Sequence, residues 1–319
     1  MEYRKFCESV LSELKRMLGD EYTVRIENIL KNNQVSYDAV IIMKKGTTIA
    51  PSVYMDDYFD AYKAGMNVTD IALSIIVRYE KYKDGISIDL DMLMKYEHIK
   101  DKIFVKAINA DLNEKLLTGM PHVNYFDLAM VAYAVLEDNG TTRITMNVTN
   151  GNLDVWNISS EILFKNAINN TRKKLPPRFD KMSDVMKELL AAKVMRCGYR
   201  IGEDEEMDRL LAQTVRAIEE SDDGLMFVLT SERKLDGAVY ILFSDVLEEI
   251  ADMLQNDIYI IPSSIHEIMI LPRVDGVDYN ELRELVNSVN YQDMDQLEIL
   301  SDNVYIYERG RGIAWERGR

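Results

Sequence analysis

Histidine and cysteine are scarce in this chain, three and two among 319 residues. Cys7 and Cys197 lie far apart and belong to no CxxC pattern, so neither a disulfide framework nor a zinc ribbon is indicated. A reducing, cytoplasmic setting is expected. The histidines are His98, His122 and His266, no two of them at i, i+4 spacing, and His266-Glu267 lacks the second histidine of a zincin helix. A three-histidine zinc site would use every histidine of the chain. The acidic run GEDEEMD at 202–208 lacks the alternating ligands and central glycine of a calcium loop. The expectation is therefore no metal and no cofactor.

Long apolar runs are missing too. The longest, LAMVAYAVL at 128–136, falls far short of the ~20 residues of a membrane-spanning helix. The opening MEYRKFCESVLSEL scatters charge where a signal peptide has an apolar centre. Positive charge is in deficit, with 38 Lys plus Arg against 54 Asp plus Glu and a formal charge of −16. That sign repels phosphate backbones and anionic lipid, so neither nucleic acid nor membrane is expected as a partner. Phosphate-cradling loops are absent: no GxxxxGK[ST] occurs, and the GRG at 310–312 does not continue as GxGxxG after a strand. The tail ERGRGIAWERGR sets Arg309, Arg311, Arg317 and Arg319 around Trp315, a pattern that fits nucleic acid or an acidic partner. On an acidic chain, a frayed terminus folding back on the body is the better expectation.

What the chain does contain is a normal globular balance, 47% apolar and 29% charged, with length for one large or two ordinary domains. Residues 3–18 carry a helical apolar stripe that Gly19 ends. YTVRIENIL and YDAVIIM flank an Asn-rich join and read as a hairpin. Helices are expected over about 52–64 and from Thr69, the latter capped by Thr69 or Asn67. HVNYFDLAMVAYAVLED and TRITMNVT flank Asn139-Gly140, the strongest hairpin signal, and a helix follows at SSEILFKNAINNT. KKLPPRFD at 173–180 reads as a linker, and residues 182–220 as interrupted helix. GLMFVLT with LDGAVYILF, then DIYII with HEIMIL, read as strand pairs. Helices follow at SDVLEEIADML, capped by Ser244, and at DYNELRELVNSV, where Asp278 and Glu281 resemble a capping box. VYIYE is a closing strand. The predicted class is α+β, antiparallel hairpins alternating with helices in two sub-domains, with 1–175 and 221–319 as α+β domains and 176–220 as a helical linker region.

Residues 54–57 read YMDD, the letters of a reverse-transcriptase metal hairpin. On a helix over 52–64, Tyr54, Met55, Tyr58, Phe59 and Tyr62 share one face and Asp56, Asp57 and Asp60 the other. The carboxylates are then a solvated face. A two-metal site needs carboxylates converging on ions ~4 Å apart, together with a basic template channel, so the polymerase reading is rejected. In IIPSSIHEIMILP, Ser263, Ser264, His266 and Glu267 resemble a compressed nucleophile, base and orienter. Such groups usually come from separated segments. If 265–271 is a strand, His266 shares a face with Ile268 and Ile270 while Glu267 points away. A Pro-Ser-Ser turn with a packed or partner-facing histidine is the plainer reading.

The stretches IAPSVYMDDYFDAYKAGMN, NLDVWNISSEILFKNAINN, FVLTSERKLDGAVYILFSDVLEEIADML, DIYIIPSSIHEIMILP and EILSDNVYIY together resemble a family of uncharacterised bacterial proteins, a domain of unknown function common in gut anaerobes. The matching segments run from about Tyr37 to Tyr307. The C-terminal part is also distantly similar to another uncharacterised bacterial family with a strand, Pro-Ser, strand, closing-strand pattern. The resemblance implies a bacterial cytoplasmic protein and no particular activity, cofactor or catalytic residue. Absent enzyme signatures and 18 tyrosines point to a non-catalytic protein- or peptide-binding module, with a cation-rich partner suiting the charge. The candidate surface is Ser263, Ser264, His266 and Glu267 with Tyr54 and Tyr58. The alternative is a hydrolase using His266 with Ser263 or Ser264, or the carboxylate pair Asp56 and Asp60. A structural or assembly subunit is a third reading.

Overall fold

The computed structural model describes residues 2–47, 51–83, 93–139, 143–221, 224–274, 279–292 and 294–314. The fold is α+β, with three antiparallel sheets among these residues. No helix among them is long and apolar enough to cross a membrane. Two compact units form, Met1–His98 and Ile99–Arg319, so the division expected near residue 175 falls inside the second.

In the first unit, α1 (Glu2–Leu18) is followed by β1 (Tyr22–Leu30), β2 (Ser36–Lys44), β3 (Ser52–Tyr54), α2 (Asp56–Lys63) and α3 (Val68–Lys83). Phe6, Cys7, Val10 and Leu14 fall on one face of α1 and are buried, and Gly19 leaves the helix at φ 67°. That stripe packs with Val40 and Ile42 of β2 and with Ile71, Ala72 and Ile75 of α3 in one core. The β1–β2 hairpin reverses at Asn33 and Gln34, both at positive φ. Asn67 caps α3, its Oδ1 accepting the Asp70 N–H at 2.9 Å. The helix expected over 52–64 begins only at Asp56. Residues 52–54 instead pair with Ala39–Ile41 of β2 and bury Val53, so strand pairing overrides the local helical pattern.

A one-turn helix, α4 (Tyr96–Ile99), spans the boundary in sequence. The second unit continues through β4 (Ile103–Asn109), α5 (Glu114–Leu117), β5 (His122–Tyr125), β6 (Leu128–Asp138), β7 (Arg143–Asn147), α6 (Asn150–Trp156), α7 (Ser160–Lys174) and β8 (Pro177–Lys181). Then come α8 (Met182–Arg196), α9 (Glu205–Ser221), β9 (Phe227–Ser231), a 3-10 helix (Gly237–Leu242), α10 (Ser244–Leu254), β10 (Ile258–Ile261), β11 (Glu267–Pro272), α11 (Tyr279–Gln292), β12 (Tyr305–Glu308) and β13 (Gly312–Ala314). β6 is the spine of one sheet: β4 pairs along one edge, and β5 and β7 lie end to end along the other. The other sheet runs β13-β12-β10-β11-β9-β8.

HVNYFDLAMVAYAVLED is two strands, turned at Phe126-Asp127 with Phe126 at φ 57°. The β6–β7 hairpin forms as expected, while Gly140 of its turn lies outside the described residues. The supposed linker 173–180 is the end of α7 and edge strand β8; Phe179 stacks on Phe227 with ring centroids 5.0 Å apart. Pro177 opens that edge strand, where a missing N–H is tolerated. Ser244 is the first residue of α10 rather than its cap, the cap position being Phe243. Asp278 of the supposed capping box lies outside the described residues, as do Trp315, Arg317 and Arg319 of the tail. Residues 312–314 pair with β12 instead of fraying.

LDGAVYILF is not a strand. Asp236 takes φ 53° and the chain winds into the buried 3-10 helix, whose Tyr240 hydroxyl donates to the Leu175 carbonyl. Gly237 makes this approach possible: a Cβ there would stand 2.3 Å from the Ser231 nitrogen and 2.6 Å from the Thr230 carbonyl carbon. Gly237→Ala is expected to cost about 3 kcal/mol of stability. Urea denaturation would read this as a lowered midpoint, and an unchanged midpoint would show that the end of β9 gives way freely.

Candidate functional site

The 262–267 turn joins β10 to β11, as the alternation of HEIMIL predicted, with Ile268 and Ile270 facing the core. Ser264 is buried in the turn; its Oγ accepts the His266 backbone N–H at 3.0 Å, and its own N–H donates to the Glu267 carbonyl at 3.1 Å. The Thr230 hydroxyl donates to the His266 carbonyl at 2.8 Å. The imidazole is committed as well. Nδ1 accepts the backbone N–H of Asp236 at 3.1 Å, so in the neutral ring the proton is on Nε2, 3.9 Å from a Glu298 carboxylate oxygen. Deprotonating a serine requires a ring nitrogen with a free lone pair directed at Oγ. Here that lone pair holds the 236 loop. Ser263 faces elsewhere, lining an apolar groove with Met269, Leu282 and Leu285.

Asp236 extends the polar network beyond what the sequence pattern suggested. Its carboxylate stands 3.5 Å from Arg143 Nη1, and Arg143 Nη2 donates to the Tyr133 hydroxyl at 2.9 Å. Asp138 accepts from Arg233 at 2.7 Å. Two arginines meet two aspartates, so the cluster is charge-balanced and reads as a clamp on the 231–236 loop. Burial first, then the negative charge of Asp236, pushes the Tyr133 hydroxyl well above the usual tyrosine range.

The YMDD residues separate. Tyr54 ends β3, its ring 5.3 Å from that of Tyr37 and with Lys31 over its face. Met55 is buried, and Tyr58, Phe59 and Tyr62 pack against the first unit's core. Asp56 and Asp57 occupy the first turn of α2, where negative charge complements the helix dipole, and Asp60 pairs with Lys63 at 2.7 Å. Asp56, Asp57 and Asp60 are all exposed. No group of three or more His, Cys, Asp or Glu among the described residues is arranged to hold a metal ion.

Among the described residues of the second unit, the most enclosed carboxylate is one that no motif flagged. Asp127, 5% exposed, lies in the β5–β6 turn. Its Oδ2 accepts the Ser301 hydroxyl at 2.6 Å and the Asn303 amide at 2.9 Å, and its Oδ1 accepts the Tyr305 hydroxyl. The Asp127 carbonyl accepts the Ala110 N–H at 2.7 Å, and Asn109 donates to the Leu300 carbonyl at 3.0 Å. Charge-assisted bonds of this kind are the strong ones, and these tie the β5–β6 turn to the segment 301–305 that leads into β12 of the other sheet. Beside them is a mainly apolar cavity of about 190 Å³, lined in part by Phe126, Leu247 and Tyr307. Ser301 and Tyr305 are 174 and 178 residues from Asp127, so local spacing carries no signal of the contact.

A family described as a family of unknown function, DUF5688, matches residues 3–309. The chain belongs to that family. No curated protein and no solved structure matches it. The span matched to DUF5688 takes in Asp127, Asp236, His266, Glu298 and Tyr305, so the latch and the clamped turn both lie inside the family's domain.

Asp127→Asn would turn an amide group toward three donors. We expect it to cost about 3 kcal/mol, read as a lowered denaturation midpoint, whereas an unchanged midpoint would mean the three donors find water instead. Alkali offers a second test. Burial pushes the Tyr240 hydroxyl from 10.0 up to about 12, and burial with the Asp127 charge raises Tyr305 further. Between those values the unfolded chain loses protons that the folded chain keeps. The contribution of Tyr240 is thus fully present below pH 10.0 and is lost as pH rises through about 12, and that of Tyr305 persists to higher pH. Tyrosinate absorbance from these residues should appear only together with loss of near-ultraviolet circular dichroism; ionisation before unfolding would contradict their burial.

Proposed function

We propose that this protein is a non-catalytic module that binds a protein or peptide through the 262–267 turn and the groove beside it. The observation that carries this reading is that Pro262 and Ser263 border an apolar groove of about 120 Å³ against α11, where Leu285 remains 57% exposed. An open apolar slot beside a rigidly hydrogen-bonded turn suits an inserted side chain from a partner. Glu267 and Glu298 flank the turn in sequence and contact, and with the overall −16 charge they favour a cation-rich partner. Ser264 and His266 support the turn rather than react, because their hydrogen bonds run to backbone groups. Tyr54 and Tyr58, both partly exposed, are a further proposed contact region on the first unit. The free thiols, Cys7 buried and Cys197 exposed, suit a reducing, cytoplasmic setting.

Tagged wild type, Leu285→Arg and His266→Ala, each incubated in lysate of the source cells, would be compared by mass spectrometry of everything retained. The expected outcome is one protein held by wild type and reduced on the order of tenfold by Leu285→Arg. His266→Ala should weaken retention less, by loosening the 236 loop. Retention unaffected by either substitution would remove this surface from the reading. A bound metabolite in place of any protein would favour the hydrolase alternative.

A further inference from the structure

The hairpin of α8 and α9 leaves large apolar residues exposed on both helices, among them Met186, Leu189, Met207 and Leu210. The two helices run antiparallel: Lys187 and Glu219 meet at 3.6 Å near the base, and the Tyr199 hydroxyl donates to Asp208 at 2.7 Å near the tip. α8, MSDVMKELLAAKVMR, spreads nine apolar residues around its circumference among five charged ones instead of gathering them in one stripe. Yet the residue it buries is Ser183. α9 carries one apolar stripe, Met207, Leu210, Leu211, Val215 and Ile218, of which Ile218 is buried. At the far end Met195 and Ile201 are 76% and 84% exposed. Between the helices runs an apolar groove of about 390 Å³, lined by Leu190, Ala191, Val194, Met195, Ile201 and Leu211 among others.

Shape and charge together indicate the occupant. A slot between two antiparallel helices accepts a third helix whose apolar side chains recur at i, i+3, i+4 and i+7. Methionine at the rim adapts to varied side chains. The tip beside Ile201 reads GEDEEMD between Arg200 and Arg209, five carboxylates against two cations, with Glu203, Glu205 and Glu206 exposed. A second copy of this chain would bring another −16 to the contact. We propose that the α8–α9 groove receives a basic amphipathic helix of a partner protein, its apolar stripe along Leu190, Val194 and Leu211 and its lysines or arginines beside Glu203–Glu206. The groove shares no lining residue with the one at Pro262 and Ser263, so this site stands apart from the preceding proposal.

The test uses the full chain and two fluorescent synthetic peptides of identical helical spacing, one leucine/lysine and one leucine/glutamate, followed by anisotropy. The leucine/lysine peptide should bind saturably at one per chain and the leucine/glutamate peptide should not. Met195→Ser with Ile201→Ser should weaken binding on the order of tenfold without changing far-ultraviolet circular dichroism, since both side chains are exposed. Glu205→Gln with Glu206→Gln should flatten its salt dependence. Leu285→Arg should leave it unchanged. Equal affinity for both peptides, or indifference to Met195→Ser with Ile201→Ser, would overturn the proposal. So would a concentration-dependent mass that falls to monomer in that double variant, which would make the occupant a second copy. Binding lost in Leu285→Arg and kept in the hairpin variant would also overturn it, while leaving the binding reading of the other groove in place.

Discussion

Burying a carboxylate is unfavourable unless donors replace the water it loses, and the second unit replaces Asp127's water with three side chains from one short segment. That requirement places residues 301–305, and their placement passes outward. The Ser301 carbonyl receives the Asn290 amide at 3.0 Å, which sets the C-terminal half of α11. The Glu298 carbonyl receives the Ile265 N–H at 2.9 Å, which sets the turn after β10. Both walls of the groove at Ser263 are therefore hydrogen-bonded to the segment 298–301 that leads to Asp127's donors. The same segment leads directly into β12, whose Tyr305 is both a latch donor and the register partner of Ile260.

The sequence read best where structure is local. The stripe of α1, the Asn-rich reversal at Asn33, the Asn67 cap and the alternation of HEIMIL each depend on residues within a few positions, and each formed as expected. It read worst where a distant partner decides the conformation. Residues 52–54 have a helical pattern but lie against β2. The VYILF of LDGAVYILF has strand propensity, yet Gly237 lets the stretch press against β9 as a 3-10 helix. The prolines of KKLPPRFD suggested a linker because Phe179's stacking partner, Phe227, is not visible from that stretch.

The candidate site divides the same way. Its turn was legible because proline and serine between two apolar runs favour a turn. Their chemistry was not. Whether His266 is a base depends on what its Nδ1 accepts, and that is the backbone of Asp236, 30 residues away. Arg143 and Glu298 joined the cluster without any spacing to announce them. The α8–α9 surface was visible only as interrupted helix, since periodicity shows an apolar face without showing whether anything covers it.

The distance in sequence between Asp127 and its donors also orders events during synthesis. The first unit holds every strand of its own sheet within its first hundred or so residues and can complete that sheet early. The second cannot. β6 can find β4, β5 and β7 soon after they emerge, but Asp127 has no donor until position 301 and those after it are free to return. Contacts so far apart in sequence are slow to close. For the interval in which the intervening helices and β8 to β11 are made, the Asp127 turn must stay hydrated and the β6 sheet must persist unlatched. The nascent second unit thus stays unlatched until one serine, one asparagine and one tyrosine arrive.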